Sequence, residues 1–76
     1  MVVYVLCQNI EQFKSFCHEY NTNPRNPNFR FLDRYDKLRG IGRGAPVLLY
    51  GTPYKREDMD EIEDVMKAIE AVILKG

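Results

Sequence analysis

The sequence predicts a small α/β domain: three parallel strands in the order 2-1-3 with helices on the faces of the sheet, a βαβαβα unit of half-Rossmann type. Three observations predict it. Strand-like apolar runs alternate with helix-like stretches along the chain, and alternation of this kind joins parallel strands through crossover connections. Residues 2–7, Val-Val-Tyr-Val-Leu-Cys, are apolar without interruption, as a central strand buried on both faces must be. The last third of the chain carries an apolar stripe at helical spacing.

The elements follow in order. After the first strand, Asn9 is an N-cap residue with Gln12 three positions later, the spacing of a capping box. Ile10, Phe13, Phe16, Cys17 and Tyr20 then mark one helical face ending near Tyr20. Residues 21–28 hold four asparagines and two prolines and read as an exposed loop. Phe29-Arg30-Phe31-Leu32 is a second, short strand, and Asp33 precedes a brief helix over about 34–40 that contains Leu38. Gly40, Gly42 and Gly44 end it. Pro46 to Tyr50 is the third strand, closed by Gly51-Thr52-Pro53. From Asp58, with Glu61 as its capping partner, a helix is expected to run to the C-terminus, its stripe formed by Met59, Ile62, Val65, Met66, Ile69, Val72 and Ile73.

Size and composition bound the function. Seventy-six residues with 45% hydrophobic content form one globular domain, residues 1–76, rather than a disordered chain. No apolar run is long enough to span a membrane. The apolar start lacks the basic flank and cleavage site of a secretory leader. Cys7 and Cys17 are too few for a disulfide scaffold, which points to a reducing cytoplasm. Net charge is zero but unevenly spread. Residues 25–56 carry eight basic against two acidic side chains, whereas residues 57–76 carry seven acidic against two basic ones. Either the two segments neutralise one another across the fold, or the basic one faces phosphates or an acidic partner.

In an open parallel sheet, ligands meet the carboxyl ends of the strands where the strand order reverses. Order 2-1-3 puts that point between the first and third strands and gathers Gln8, Asp33 and Thr52 there. Candidate anion ligands are Arg34, Arg39, Arg43, Gly51, Thr52, Tyr54, Lys55 and Arg56. Gly51 permits a tight turn, Thr52 offers a hydroxyl, Tyr54 a ring for stacking, and the cations supply donors. An ordinary loop with solvated basic residues explains the same pattern. The glycines at 40–44 do not follow the first strand and so do not make a dinucleotide fingerprint. Ser15 and His18 share a helix face without an orienting acid. Cys7 reads as a small buried hydrophobe, and Cys7, Cys17 and His18 lack zinc-ligand spacing. Asp33 and Asp36 sit among Arg34, Lys37 and Arg39 and read as ion-pair partners rather than metal ligands. The sequence thus predicts no enzyme, no cofactor and no metal.

From Tyr35 to Glu61 the chain reads YDKLRGIGRGAPVLLYGTPYKREDMDE. This resembles a pattern of small uncharacterised bacteriophage proteins: Leu-Arg-Gly, a short glycine or proline step, an apolar strand ending in Tyr-Gly-Thr, then Tyr-x-Arg-x-Asp before an acidic helix. The matching residues are Leu38, Arg39, Gly40, Tyr50, Gly51, Thr52, Tyr54, Arg56 and Asp58. The resemblance implies a phage source and a host cytoplasm, not a reaction.

The resulting expectation is a non-enzymatic binding module, phage-encoded, that works by protein–protein contact with a host or phage protein. It is expected to self-associate, as a dimer foremost, through Met59, Ile62, Met66, Ile69 and Ile73. The alternative is a nucleic-acid or nucleotide binder using the basic segment 30–56.

Overall fold

A computed structural model describes residues 2–75 of the chain. The elements are β1 (Val3–Leu6), α1 (Ile10–Glu19), β2 (Phe29–Phe31), α2 (Asp36–Arg39), β3 (Pro46–Leu49), a 3-10 turn (Pro53–Lys55), α3 (Met59–Ala68) and β4 (Val72–Lys75). All pairings are parallel, in the order β2-β1-β3-β4. The expected 2-1-3 core is therefore present, with a fourth strand added beside β3.

β1 lies centrally because its side chains are apolar on both faces. Val5 and Cys7 join Phe13, Phe16 and Cys17 of α1 and Leu48 of β3 in one buried cluster. Leu6 joins Val47, Leu32, Leu38 of α2, and Ile62 and Val65 of α3 in the other. Phe16 is fully buried, its ring centroid 4.6 Å from that of Tyr20, 5.4 Å from Phe29 and 5.5 Å from Tyr50. Edge-to-face and offset pairs of this kind add to the burial itself.

The C-terminal helix is shorter than its sequence pattern suggests. α3 stops at Ala68, and Glu70 takes a left-handed φ of 52°. The Glu70 N–H donates to the Lys67 carbonyl at 3.3 Å and the Ala71 N–H to the Met66 carbonyl at 2.9 Å. Those two bonds make a Schellman motif. α1 ends the same way, with Asn21 at φ 53° and the Thr22 N–H donating to the Cys17 carbonyl at 2.8 Å. Glycine or asparagine ordinarily marks this stop. A glutamate does not announce it, and Ala71-Val72-Ile73-Leu74 satisfies a strand as well as a helical stripe. Pairing β4 on β3 satisfies backbone groups that a longer helix would have left on β3 as a bare edge.

Asp58 occupies the N-cap position of α3, but its carboxylate makes no capping bond. Arg56 takes it instead, as described below. Asn9 does cap α1, its Oδ1 accepting from the Gln12 N–H at 3.0 Å.

The Val72 N–H donates to the Ala45 carbonyl. By the alternation of a parallel ladder, Val72 and Leu74 turn their backbone groups to β3, and Ile73 turns its own outward. Leu74→Pro is therefore expected to lower stability by at least about 1 kcal/mol, whereas Ile73→Pro costs markedly less. Urea denaturation midpoints of the two variants check this. Equal losses would contradict the strand assignment.

Candidate functional site

The carboxyl ends of the strands meet Gln8, Asp33, Thr52 and Arg56 as expected, but bonds within the fold fill the crevice between β1 and β3. Gln12, on the first turn of α1, points into it. Its Oε1 accepts from the Gln8 N–H at 2.9 Å and the Thr52 N–H at 3.1 Å. Its Nε2 donates to Thr52 Oγ1 at 2.8 Å, and that hydroxyl donates to Gln8 Oε1 at 2.9 Å. Gly51 turns the chain at φ 70°, and a Cβ there would overlap the Gln12 amide. Glycine is thus favoured by its dihedral and also leaves room for the Gln12 amide. Gln12 is legible in the sequence as half of a capping box. Its reach across to Thr52 depends on the strand order.

Arg56 follows the 3-10 turn, and its side chain is 7% exposed. Its Nη1 donates to the carbonyls of Leu32 and of Cys7, the latter at 3.1 Å. Its Nη2 donates to the Asp33 carbonyl at 2.8 Å and to Asp58 Oδ2 at 3.1 Å, and its Nε donates to Asp58 Oδ1 at 2.9 Å. A guanidinium has five N–H donors, and all five are engaged. The group stacks over the Phe31 ring at 5.8 Å. Arg56 therefore joins the ends of β1 and β2 to the start of α3, and it has no donor left for a ligand.

The other candidate anion ligands do not converge. Tyr54 is 70% exposed and Lys55 also faces solvent, both on the 3-10 turn beyond Thr52. Arg34 is exposed after β2. Arg39 lies over the Tyr35 ring at 5.5 Å, at the far end of α2. Arg43 precedes β3, at the opposite end of that strand from Thr52, and pairs with Glu70 at 3.8 Å. Asp33 pairs with Lys37 at 3.3 Å. Among the described residues no three His, Cys, Asp or Glu side chains come together as a metal site, and no helix is long and apolar enough to cross a membrane.

The candidate interface residues divide similarly. Ile62 is fully buried in the core beneath α3, with Met59, Met66 and Ile69 packed around it. Ile73, expected on the same helical stripe, instead lies on β4, 44% exposed.

Cys7 is fully buried at the end of β1. Burial pushes its thiol from an ordinary 9.0 up to about 11, outweighing the opposing pull of the Arg56 charge. The Cys17 thiol is raised by burial as well. Tyr50 donates to Glu19 Oε2 at 2.6 Å, and that bond raises its phenol. Ser15 and His18 face solvent on α1.

No family model, curated protein or solved structure matches this chain.

Two outcomes test the site. Arg56→Leu leaves the carbonyls of Leu32 and Asp33 and the Asp58 carboxylate without their partner. It is expected to cost about 3 kcal/mol in urea denaturation, with Arg56→Lys a poor rescue because an ammonium cannot reach all five acceptors. Cys7 is expected to resist iodoacetamide at pH 8 at a rate set by unfolding. Because its folded thiol ionises later than its unfolded one, the contribution of Cys7 to stability is expected to be constant below pH 9.0 and to be lost as the pH rises towards about 11. Rapid alkylation of the native protein would contradict the burial.

Proposed function

We propose that this protein is a non-enzymatic binding module that acts by protein–protein contact and self-association, with β4 as its contact edge. One observation carries the reading. β4 is an open edge strand on which Val72 is 50%, Ile73 44% and Leu74 39% exposed. Leu74 stands beside Leu48 on the α1 face of the sheet, yet it is far more exposed than that neighbour. Ile73 stands beside Val47 on the other face and borders a hollow of about 280 Å³ with Met66 and Ala71. Edges of this kind are normally blunted by charge, brevity or cover, and an unprotected one is a template for another strand.

The opposite edge shows the contrast. β2 has three residues, and two of its outward backbone groups are already used: the Phe29 N–H donates to the Asn26 carbonyl and the Phe31 carbonyl accepts from the Asp33 N–H. Arg30 sits in its middle. β2 is protected by these contacts, whereas among the described residues β4 presents Val72, Ile73 and Leu74 before its terminal Lys75.

A second copy is the first partner, because zero net charge removes the repulsion that keeps small proteins apart. The burial and raised thiol of Cys7 support a non-enzymatic reading of the strand end where it lies. The resemblance to small phage proteins supports a phage-encoded accessory role in the host cytoplasm, with a host or phage protein as a further partner.

Sedimentation at micromolar concentration is expected to show a concentration-dependent dimer. Ile73→Pro, which blocks the outward edge while sparing the β3 ladder, is expected to be monomeric with an unchanged circular dichroism spectrum. A wild-type protein that stays monomeric, or an Ile73→Pro variant that still dimerises, would count against β4 as the contact.

A further inference from the structure

The basic segment holds a second feature that is independent of β4. A groove of about 390 Å³ wraps the β2 edge, between the start of α1, the 24–27 loop and α2. Its cations are Arg25, Arg30 and Lys37, its apolar lining includes Pro27, Phe29 and Phe31, and it has no acidic lining residue. Among the described residues, the side chains of Arg25 and Arg30 make no ion pair and no hydrogen bond. Lys37 is held by Asp33 at 3.3 Å, but both side chains are about half exposed. Such a pair is worth little and exchanges readily with a phosphate.

The charge balance of the whole chain conceals this surface. Among the described residues, only the ion pairs Arg56–Asp58 and Arg43–Glu70 join the basic segment to the acidic one. The acids of α3 therefore do not neutralise the β2 edge. Among the described residues, neither Glu11 of α1 nor Asp36 of α2 is within ion-pair distance of Arg25 or Arg30.

We infer that this groove binds single-stranded nucleic acid, with Arg25, Arg30 and Lys37 on successive phosphates and bases resting against Pro27 and the exposed parts of Phe29 and Phe31. The guanidiniums offer paired donors to phosphate oxygens. Apolar lining beside these three cations suits unpaired bases, which bind without regard to sequence. A duplex would keep its bases from that lining and use the cations alone, and an acidic peptide would bring carboxylates without rings.

The test is fluorescence anisotropy with a labelled oligothymidylate of about 12 nucleotides. Binding is expected at low salt, with log K falling against log salt at a slope of about −2, the value for three phosphates on a single strand. Arg25→Ala and Arg30→Ala are each expected to weaken binding and to flatten the slope by about 0.7. Arg34→Ala and Arg43→Ala, which lie outside the groove, are expected to leave both unchanged. Ile73→Pro is also expected to bind like the parent, so a failure of β4 as the contact edge stays distinct from a failure of the groove. The inference is overturned by absence of binding at low salt, by equal or tighter binding of a duplex or of polyglutamate, or by full affinity in the Arg25→Ala/Arg30→Ala double variant.

Discussion

The guanidinium of Arg56 fixes the geometry on which the rest of the fold relies. Parallel strands end with carbonyls that no neighbouring residue of their own strand can satisfy, and in this chain β1 and β2 end side by side. Arg56 reaches both ends, through Cys7 on one side and Leu32 and Asp33 on the other, and holds the first residue before α3 through Asp58. A planar group with fixed donor directions suits that task because five acceptors must be met at once in a nearly dry place. The same contacts explain why Asp58 does not cap its helix: its carboxylate is a better partner for a buried charge than for a backbone N–H.

The second filled position, Gln12 with Gln8 and Thr52, has a related logic. The reversal of strand order between β1 and β3 opens a crevice that many α/β proteins give to a ligand. Here an amide side chain from α1 occupies it and bonds both walls. The chemistry of the switch point is spent on cohesion. The two surfaces proposed to make contacts lie instead at the two sheet edges, which differ in kind. One is short, cationic and partly self-satisfied; the other is apolar and open.

Much of this was readable in the residues. The continuous apolar run at 2–7 implied a central strand, and the breakers around it implied alternation, so parallel order 2-1-3 followed. Asn9 was legible as a cap because its side chain acts within three residues. The end of α3 was not legible: Glu70 adopts a left-handed conformation that side chains usually avoid, and only the bonds of Lys67 and Met66 reveal it. Ile62 and Ile73 share a helical stripe on paper, yet one is in the core and the other on a strand edge.

Local chemistry therefore settled what neighbours along the chain can settle: the first three strand runs, the cap of α1, the turn at Gly51 and the uneven distribution of charge. Tertiary structure decided which side chains meet across long separations. Arg56 and Arg43 look alike in sequence, but one is enclosed by carbonyls from 23 and more positions away, while the other sits at the opposite strand end beside Glu70. Whether a cation is spent or available depends on what the packed chain brings within three ångströms of it, and no local pattern encodes that distance.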